Sequence, residues 1–344
     1  MSQRIAVLGT GANGASIAAD LTIAGLDVVL IEQWPEHVQQ MRKSGIRIEM
    51  PEKVLETSVE VYHLCEVCTF DSQFDVVLLV MKAYDTIWGC QLIKPYLKDD
   101  GVLVGVQNGM TTDNIIEVVG IDRTMGCVIE VSSQMFAPGV VERQSSHDHS
   151  WFAVGGLSSK GKKRELEVKN LLSNSGTTVI SSDIRSAKWM KIVSNCTTLG
   201  TTAIFGVPIA EAASNPVMRD IMIASGLEAL DVGREKGYRL EPIFGLSEKE
   251  IRDSNQLVEL LLSKLTSTYI LPQTITTVLQ DHIKNRKSEV ENVNGWVVEE
   301  RHSIGKKAPV NSAILKVSNL IKKGELEPDP SNVGLIQNLI KDGK

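Results

Sequence analysis

The feature that most constrains this chain is the run RIAVLGTGANGASIAADLTIAGLDVVLIE, residues 4–32. It begins with a short apolar segment, continues through an alanine-rich amphipathic segment to Ala24, and ends in a second apolar segment. Apolar runs of this length suit the strands of a buried parallel sheet, and the middle segment suits a helix. Gly9, Gly11 and Gly14 follow the first apolar segment in the pattern G-x-G-x-x-G. The run therefore predicts a β-α-β unit that carries a nucleotide-binding turn.

The three glycines have separate physical roles in such a turn. The first makes the tight turn, the second lets backbone N–H groups approach a pyrophosphate, and the third lets the helix pack closely on the strand. The N–H groups at the start of the helix then bind the phosphates. We therefore assign Gly9, Gly11, Asn13 and Gly14 to cofactor binding.

Glu32 closes the second strand of this unit, eighteen residues after Gly14. A carboxylate at about this offset accepts a hydrogen bond from the 2′-hydroxyl of an adenosine ribose and repels the 2′-phosphate of NADP. Gln33 and Trp34 follow Glu32, and the next strongly basic residue is Arg42. The pattern predicts that Glu32 binds the cofactor and that NAD(H) is preferred over NADP(H).

Further strands and helices alternate through the first half of the chain. The runs DVVLLVMK, GVLVGVQNG and TMGCVIEVSS predict buried strands at 75–82, 101–109 and 124–133. From about Ser182 onward, amphipathic helical segments dominate. We predict an α/β fold in which a Rossmann-type, doubly wound, mostly parallel N-terminal domain (1–182) precedes an all-α C-terminal domain (183–344).

The bulk composition excludes several classes of partner. The formal net charge of −6 argues against nucleic acid, whose phosphates require a basic excess. The uncharged stretch 192–210 contains Ser, Asn, Thr, Gly and Pro, so it predicts a buried helix and turn and no membrane partner. Five scattered cysteines predict a reducing, cytoplasmic location.

No metal site is predicted. Cys65 and Cys68 form a CxxC motif, but no second ligand pair follows at zinc-site spacing. His147 and His149 flank an aspartate in SSHDHS, which we interpret as a surface loop. The other isolated histidines within helical patterns are predicted at the surface: His37, His282 and His302.

Three segments carry side chains suited to chemistry. VMKAYDT places Lys82 just after a predicted strand, and VQNGM places Asn108 and Gly109 after the next one. Doubly wound sheets bind their ligands at this edge. In the helical run KWMKIVSN, Lys191 and Asn195 lie four residues apart and so share a face. A lysine within an apolar helix is a candidate proton donor, although an isolated lysine more often extends to the solvent.

Taken together, these segments resemble the ketopantoate reductase family. The resemblance extends over nearly the whole chain and also includes AKWMKIVSNC and the C-terminal run TTVLQDHIKNRKSEVENVNG. It implies a Rossmann domain followed by a helical domain. It also implies an oxidoreductase that transfers hydride between a nicotinamide and C2 of a 2-oxo or 2-hydroxy acid, such as ketopantoate, pantoate or a related acid.

The resemblance further implies roles for individual residues. Lys191 would be the general acid that protonates the developing alkoxide, and Asn195 would hydrogen-bond the substrate. Glu289 would hold the substrate hydroxyl or the lysine, and Thr277 would contact the substrate carboxylate. The spacing gives partial support, because Thr277 and Glu289 belong to a series of polar residues that step by four, as on one helical ridge.

On the cofactor side, the resemblance places Lys82 and Asn108 near the nicotinamide ribose, where Asn108 would also contact the acid. One position departs from the family pattern, because Leu199 stands where a second asparagine usually follows Asn195. An apolar residue there predicts an acid other than ketopantoate, with a less polar tail. Alternatives remain open: a sugar-acid, polyol-phosphate or opine-type dehydrogenase, or a dinucleotide sensor without turnover. A homodimer is a further expectation.

Overall fold

The computed structural model describes residues 3–343. The chain divides into two compact units between Arg185 and Ser186. The first unit combines strands and helices, and the second is helical, so the predicted fold class is confirmed. The division lies within the first turn of the helix Ile184–Phe205, three residues beyond the expected boundary at 182.

The first unit contains strands that are mostly short and buried. The strands are β1 (Arg4–Leu8), β2 (Asp27–Glu32), β3 (Ile46–Glu49), β4 (Val54–Thr57), β5 (Glu60–His63), β6 (Phe74–Leu79), β7 (Leu97–Val106), β8 (Thr124–Glu130), β9 (Ser133–Ala137), β10 (Val140–Arg143), β11 (Trp151–Gly156) and β12 (Thr177–Ile180). The helices are α1 (Ala12–Ile23), α2 (Pro35–Ser44), α3 (Thr86–Ile93), α4 (Thr112–Val119), α5 (Ser159–Lys162) and α6 (Glu165–Leu172).

The main sheet has eight strands in the order β12-β11-β8-β7-β6-β1-β2-β5. Neighbouring strands are parallel except for the antiparallel pair β11 and β8. The six strands from β5 to β8 follow the order 3-2-1-4-5-6, which is that of a dinucleotide-binding Rossmann sheet. The apolar strands β1 and β6 are buried at its centre, as their sequences predict.

A second sheet, in the order β4-β3-β10-β9, packs on α1 and was not predicted. Its strands are four or five residues long, and β3 pairs in parallel with β10 from nearly a hundred residues later. A buried ion pair joins β10 to α1, because the guanidinium of Arg143 donates to Asp20 at 2.6 Å. The sheet therefore fixes the helix that follows the glycine-rich turn.

The second unit is a helical assembly. Its helices are α7 (Ile184–Phe205), α8 (Ile209–Ser214), α9 (Pro216–Glu235), α10 (Glu248–Asp253), α11 (Leu257–Thr268), α12 (Thr277–Ile283), α13 (Trp296–Ser303), α14 (Pro309–Lys322) and α15 (Asn332–Gly343). A π-helical segment, Glu291–Gly295, leads directly into α13. Helix α7 is buried along its length, and Gly233 of α9 makes room for its Trp189 ring, which a Cβ at 233 would approach to 1.8 Å.

Threonines explain how the uncharged stretch of α7 is buried in the second unit. The hydroxyls of Thr197, Thr198, Thr201 and Thr202 each donate to the carbonyl four residues earlier, at 2.7–3.0 Å. Their polar atoms are thus satisfied within the helix. Within residues 3–343, no helix is long and apolar enough to cross a membrane.

The prediction that polar residues from Thr277 to Glu289 lie along one helical ridge was wrong. Helix α12 ends at Ile283, and Asn285 adopts a left-handed conformation with φ of 51°. Asparagine tolerates this conformation better than most residues, so it ends the helix rather than extending it. Glu289 instead precedes the π-helical segment, and its carbonyl accepts hydrogen bonds from the N–H groups of Asn292 and Val293.

Candidate active site

The glycine-rich turn between β1 and α1 has the shape of a phosphate cradle. Gly9 has φ of +91°, and a Cβ there would lie 2.7 Å from Met81 Cγ. A Cβ at Gly14 would lie 2.1 Å from the Gly9 carbonyl oxygen, so close packing requires both glycines. A Cβ at Gly11 would meet no atom within 4 Å. The turn therefore leaves open space where the second glycine of the motif admits a pyrophosphate.

The start of α1 is suited to an anion. Its N-terminal residue Gly11 provides no side-chain cap, and its first turn contains no acidic residue. The positive end of the helix dipole thus faces no carboxylate of its own helix. Asn13, in this first turn, accepts a 2.5 Å hydrogen bond from the hydroxyl of Ser133 at the start of β9. These features fit the dinucleotide that the motif predicts.

Glu32 lies at the carboxyl end of β2 and is only 5% exposed. One carboxylate oxygen accepts from the backbone N–H of Thr10 at 2.8 Å and from its hydroxyl at 3.0 Å. The other accepts from the N–H groups of Gln33 and Trp34 at 2.9 and 3.0 Å. The sequence predicts the position of this acid but not that its charge also ties the strand end to the glycine-rich turn.

The nearest basic side chain in the sequence is engaged elsewhere. The guanidinium of Arg42 donates to the Val61 carbonyl at 3.1 and 3.0 Å and forms an ion pair with Glu66. Arg42 therefore binds β5 and the turn after it. These contacts bear on the choice of cofactor, because the 2′-phosphate of NADP requires a basic partner and the guanidinium of Arg42 is already bound to Val61 and Glu66.

His37 supports the same turn from α2, and the prediction that it lies at the surface was wrong. It is fully buried, and its Nδ1 accepts from the N–H of Gly139 at 2.9 Å. Its Nε2 must then carry the hydrogen and donates to the Thr10 carbonyl at 3.0 Å. With both ring nitrogens paired, burial is tolerated. Burial lowers the pKa of His37, opposed by the charge of Glu32 and the Thr10 carbonyl.

The remaining histidines differ in exposure. His302 is exposed, as predicted. His282 is half-buried, with its Nε2 at 3.1 Å from the Ser318 hydroxyl, and burial lowers its pKa to about 4. His147 lies in a short turn between β10 and β11 and contacts Asp20 at 2.8 Å. Within residues 3–343, no group of three His, Cys, Asp or Glu side chains is arranged to hold a metal ion, and Cys65 and Cys68 are exposed.

Lys82 and Asn108 follow β6 and β7, which are parallel neighbours in the sheet. Since β1 and β2 are the next two strands, the cradle, Glu32, Lys82 and Asn108 all lie at one edge of the sheet. Gln107, which was not predicted as a site residue, joins the loops that follow β6 and β7. It is 4% exposed, and its amide nitrogen donates to the Met81 carbonyl at 2.7 Å.

In the second unit, Lys191 is 8% exposed and lies on α7, so it does not extend to the solvent. Its ammonium nitrogen is 4.8 Å from the centre of the Phe244 ring. Asn195 and Leu199 follow at four-residue steps and are 2% and 9% exposed. The three side chains share one face of the helix. Phe244 could not be recognised from the sequence, because nothing in the run EPIFGL distinguishes it from a core residue.

The start of α12 packs against this part of α7. The hydroxyl of Thr276 caps α12 and also donates to the Leu199 carbonyl at 3.2 Å. The adjacent Thr277 has its hydroxyl oxygen buried with no hydrogen-bond partner among the residues that the structure describes. A buried hydroxyl in this state is costly unless a ligand pairs with it.

Glu289 is 4% exposed and precedes a π-helical segment that also packs on α7. Asn294 of that segment donates to the Asn311 side chain at 2.8 Å, and a Cβ at Gly200 would lie 2.5 Å from its amide oxygen. π-Helical turns occur often at functional sites. Helix α7 is therefore the element on which the segments carrying Thr277 and Glu289 converge, while the roles of these residues stay predictions.

Comparisons with known proteins identify the family. Residues 5–155 match the model described as "Ketopantoate reductase PanE/ApbA", and residues 183–322 match "Ketopantoate reductase PanE/ApbA C terminal". The chain belongs to the ketopantoate reductase family. This confirms the resemblance found in the sequence and makes the chain an oxidoreductase of that family.

Relatives of this family match along most of their length. The 2-dehydropantoate 2-reductase of Pyrococcus horikoshii is 25% identical over 314 residues, which cover 90% of this chain and 94% of the relative. That of Aquifex aeolicus is 26% identical over 334 residues, covering 95% and 98%. Each match therefore extends over both units of this chain.

Solved structures share the fold. A PanE/ApbA family ketopantoate reductase from Ralstonia eutropha JMP134 has a TM-score of 0.77 and 22% identity, with coverage of 94% of this chain and 99% of that one. D-mandelate dehydrogenase, in a ternary structure with NADH and anilino(oxo)acetate, has a TM-score of 0.82 and 22% identity, with the same coverage.

Proposed function

We propose that this protein transfers hydride between a nicotinamide cofactor and C2 of a 2-oxo or 2-hydroxy acid. The observation that carries the proposal is the burial of Lys191 on α7, with its ammonium against the face of Phe244. Burying a cation costs free energy, and buried ionisable groups of this kind are common at sites of proton transfer. Family membership supplies the reaction class, and the unpaired hydroxyl of Thr277 supports a substrate-binding role nearby.

The side chains of the second unit then have defined tasks. When bound, the nicotinamide supplies or accepts the hydride at C2. In the direction of reduction, Lys191 gives a proton to the C2 oxygen as negative charge develops there, and in oxidation it takes the proton back. The amide of Asn195 and the hydroxyl of Thr277 donate hydrogen bonds to the substrate, the latter to its carboxylate. Glu289 accepts a hydrogen bond from the substrate hydroxyl.

We assign the cofactor to the sheet edge of the first unit. The open space at Gly11 and the uncapped start of α1 fit its pyrophosphate. Lys82 and Asn108, after the neighbouring strands, align the nicotinamide ribose. The full set of residues proposed to bind the cofactor is Gly9, Gly11, Asn13, Gly14, Glu32, Lys82 and Asn108.

We further propose that NAD(H) is preferred over NADP(H). The carboxylate of Glu32 is fixed by Thr10 at the end of β2, where its charge repels a 2′-phosphate. Arg42, the nearest arginine in the sequence, is held by Val61 and Glu66. The balance of charge at this strand end therefore favours a ribose with free hydroxyls.

The substrate that we propose is an acid with a less polar tail than ketopantoate. Leu199 presents an isobutyl group on the face of α7 that carries Lys191 and Asn195, and it cannot hydrogen-bond a polar tail. The fold is compatible with such ligands, since D-mandelate dehydrogenase holds anilino(oxo)acetate on it.

A substrate panel tests the proposal. Purified protein is assayed with NADH and with NADPH against ketopantoate, pyruvate, phenylpyruvate and phenylglyoxylate. We expect NADH to support the highest kcat/KM with an acid of apolar tail. Ketopantoate as the best acid would refute the substrate assignment, and NADPH as the better cofactor would refute the cofactor assignment. Tight NADH binding without turnover of any acid would instead identify a dinucleotide sensor.

Two further expectations stay proposals. None of the five cysteines takes part in a disulfide within the described residues, which fits a reducing compartment such as the cytoplasm. The homodimer is tested by sedimentation velocity, in which a single species at the monomer mass would refute it.

A further inference from the structure

Phe244 lies in the segment between α9 and α10 and contacts Lys191. The residue is fully buried, and its ring centre is 4.8 Å from the lysine ammonium nitrogen. That distance is within the range of a cation–π interaction. The ring also lies near that of Tyr269, at 5.6 Å between ring centres. Phe244 therefore joins an aromatic pair to the lysine that we assign as proton donor.

The backbone at Phe244 is unusual for so large a residue. Its φ is 59°, and the following Gly245 has φ of 70°. The N–H of Leu246 donates to the Ile243 carbonyl at 3.1 Å, which closes a tight turn around these two residues. Turns with two positive φ values are dominated by Gly, Asn and Asp, and a bulky side chain there is strained. Such strain persists where the surroundings fix it, often at functional sites.

We propose that Phe244 is a positioning residue that acts through Lys191. The ring attracts the charged ammonium but, unlike a carboxylate, does not accept its proton. It therefore holds the ammonium on this face of α7 while the proton stays available to the substrate. The strained turn presents the ring to α7. This inference rests on the proposed role of Lys191 and explains why phenylalanine occupies a position where glycine or asparagine would be less strained.

The test compares two buried rings of the second unit. Phe244→Leu removes the ring from Lys191, and Phe205→Leu removes an equally buried ring at the far end of α7. Phe244→trifluorophenylalanine keeps the shape of the ring but weakens the negative charge of its face. It therefore tests the cation–π contact even if Phe244→Leu does not fold.

The first readout needs no turnover. Acetylation of Lys191 by acetic anhydride is followed by mass spectrometry at pH 7 and pH 10, and the ratio of the two rates is compared between proteins. Greater access raises both rates equally, whereas loss of the charged form raises the rate mainly at pH 7. We expect the pH 7 to pH 10 ratio to rise about 1.5- to 9-fold in Phe244→Leu. The fluorinated variant should change in the same direction, and Phe205→Leu should not change.

The second readout is the pH dependence of kcat for reduction of the best acid. We expect activity in the two Phe244 variants to decline at a lower pH than in the wild type, with KM little changed. An unchanged acetylation ratio in both variants would overturn the inference. A changed acetylation ratio with an unchanged pH profile of kcat would uphold the contact between Phe244 and Lys191 and refute Lys191 as the proton donor. Failure of this inference and failure of the proposed function therefore give different results.

Discussion

The carboxylate of Glu32 ties the end of β2 to the glycine-rich turn, and we propose that its charge also selects the cofactor. The variant Glu32→Gln separates this proposal from a purely structural role. Glutamine has the same shape but replaces one acceptor oxygen with an amide nitrogen. Each oxygen of Glu32 accepts from two donors, so the new nitrogen faces two donors wherever it lies. The least costly arrangement places the new amide nitrogen toward Thr10, whose hydroxyl can rotate and accept a hydrogen bond from it.

That arrangement leaves the buried N–H of Thr10 without an acceptor. An unsatisfied buried donor costs about 1–3 kcal/mol, and the remaining bonds lose the strengthening that the charge gives them. We therefore expect Glu32→Gln to lower the free energy of unfolding by about 2–4 kcal/mol. Loss of the fixed charge also removes repulsion of a 2′-phosphate. The ratio of kcat/KM with NADH to that with NADPH should fall at least about tenfold, equivalent to about 1.4 kcal/mol.

Thr10→Val is the matched control. It removes only the 3.0 Å bond from the Thr10 hydroxyl and leaves the backbone bond and the charge of Glu32 in place. We expect it to cost about 1 kcal/mol of stability with no change in the cofactor ratio. Stability is measured by urea unfolding and the ratio by initial rates. If the ratio in Glu32→Gln equals that in Thr10→Val, the charge does not select the cofactor, and the reasoning is refuted.

Three further predictions concern the second unit. Burial lowers the pKa of His282 to about 4, whereas in the unfolded chain the pKa of this imidazole is about 6.5. Between these pH values the unfolded chain binds the extra proton, so the free energy of unfolding should fall by about 2 kcal/mol as the pH is lowered from about 6.5 to about 4. In His282→Gln this dependence of the free energy of unfolding on pH, measured by urea unfolding, should be weaker. An unchanged dependence would contradict the assignment of the effect to His282. Thr277→Val should raise the KM for the acid about tenfold while leaving the unfolding midpoint in place, because its hydroxyl has no hydrogen-bond partner to lose within residues 3–343. Thr277→Ser is the control, and a loss of stability with constant KM would contradict this. Leu199→Asn should raise kcat/KM for ketopantoate relative to phenylpyruvate about tenfold or more, at a cost in stability, and a constant ratio would be inconsistent with the proposed pocket.

The local features of the fold could be predicted from the sequence. The first β-α-β unit follows from consecutive apolar patterns and glycines, and β6, β7 and β8 follow from their apolar runs. The second sheet could not be predicted, because its short strands pair across long separations, such as Ile46–Glu49 with Val140–Arg143. The break between α12 and Glu289 was missed because a four-residue spacing was followed through Asn285, whose left-handed conformation ends the helix.

The candidate site could likewise be predicted from the sequence only in part. The positions of the cradle, Glu32 and Lys191 can be found from motifs, since each lies in a run with a recognisable pattern. Their partners cannot, because these come from elsewhere in the chain. His37 is buried by hydrogen bonds to Thr10 and Gly139, and Phe244 reaches Lys191 from a different segment.

The most direct test of the account is the kcat of Lys191→Met at saturating acid and NADH. Loss of a general acid should lower kcat about 100-fold or more. NADH binding, measured by fluorescence, should be unchanged, because the proposed cofactor residues belong to the first unit and Lys191 to the second. A variant that binds NADH normally and turns over at the wild-type rate would contradict the central claim that Lys191 donates the proton.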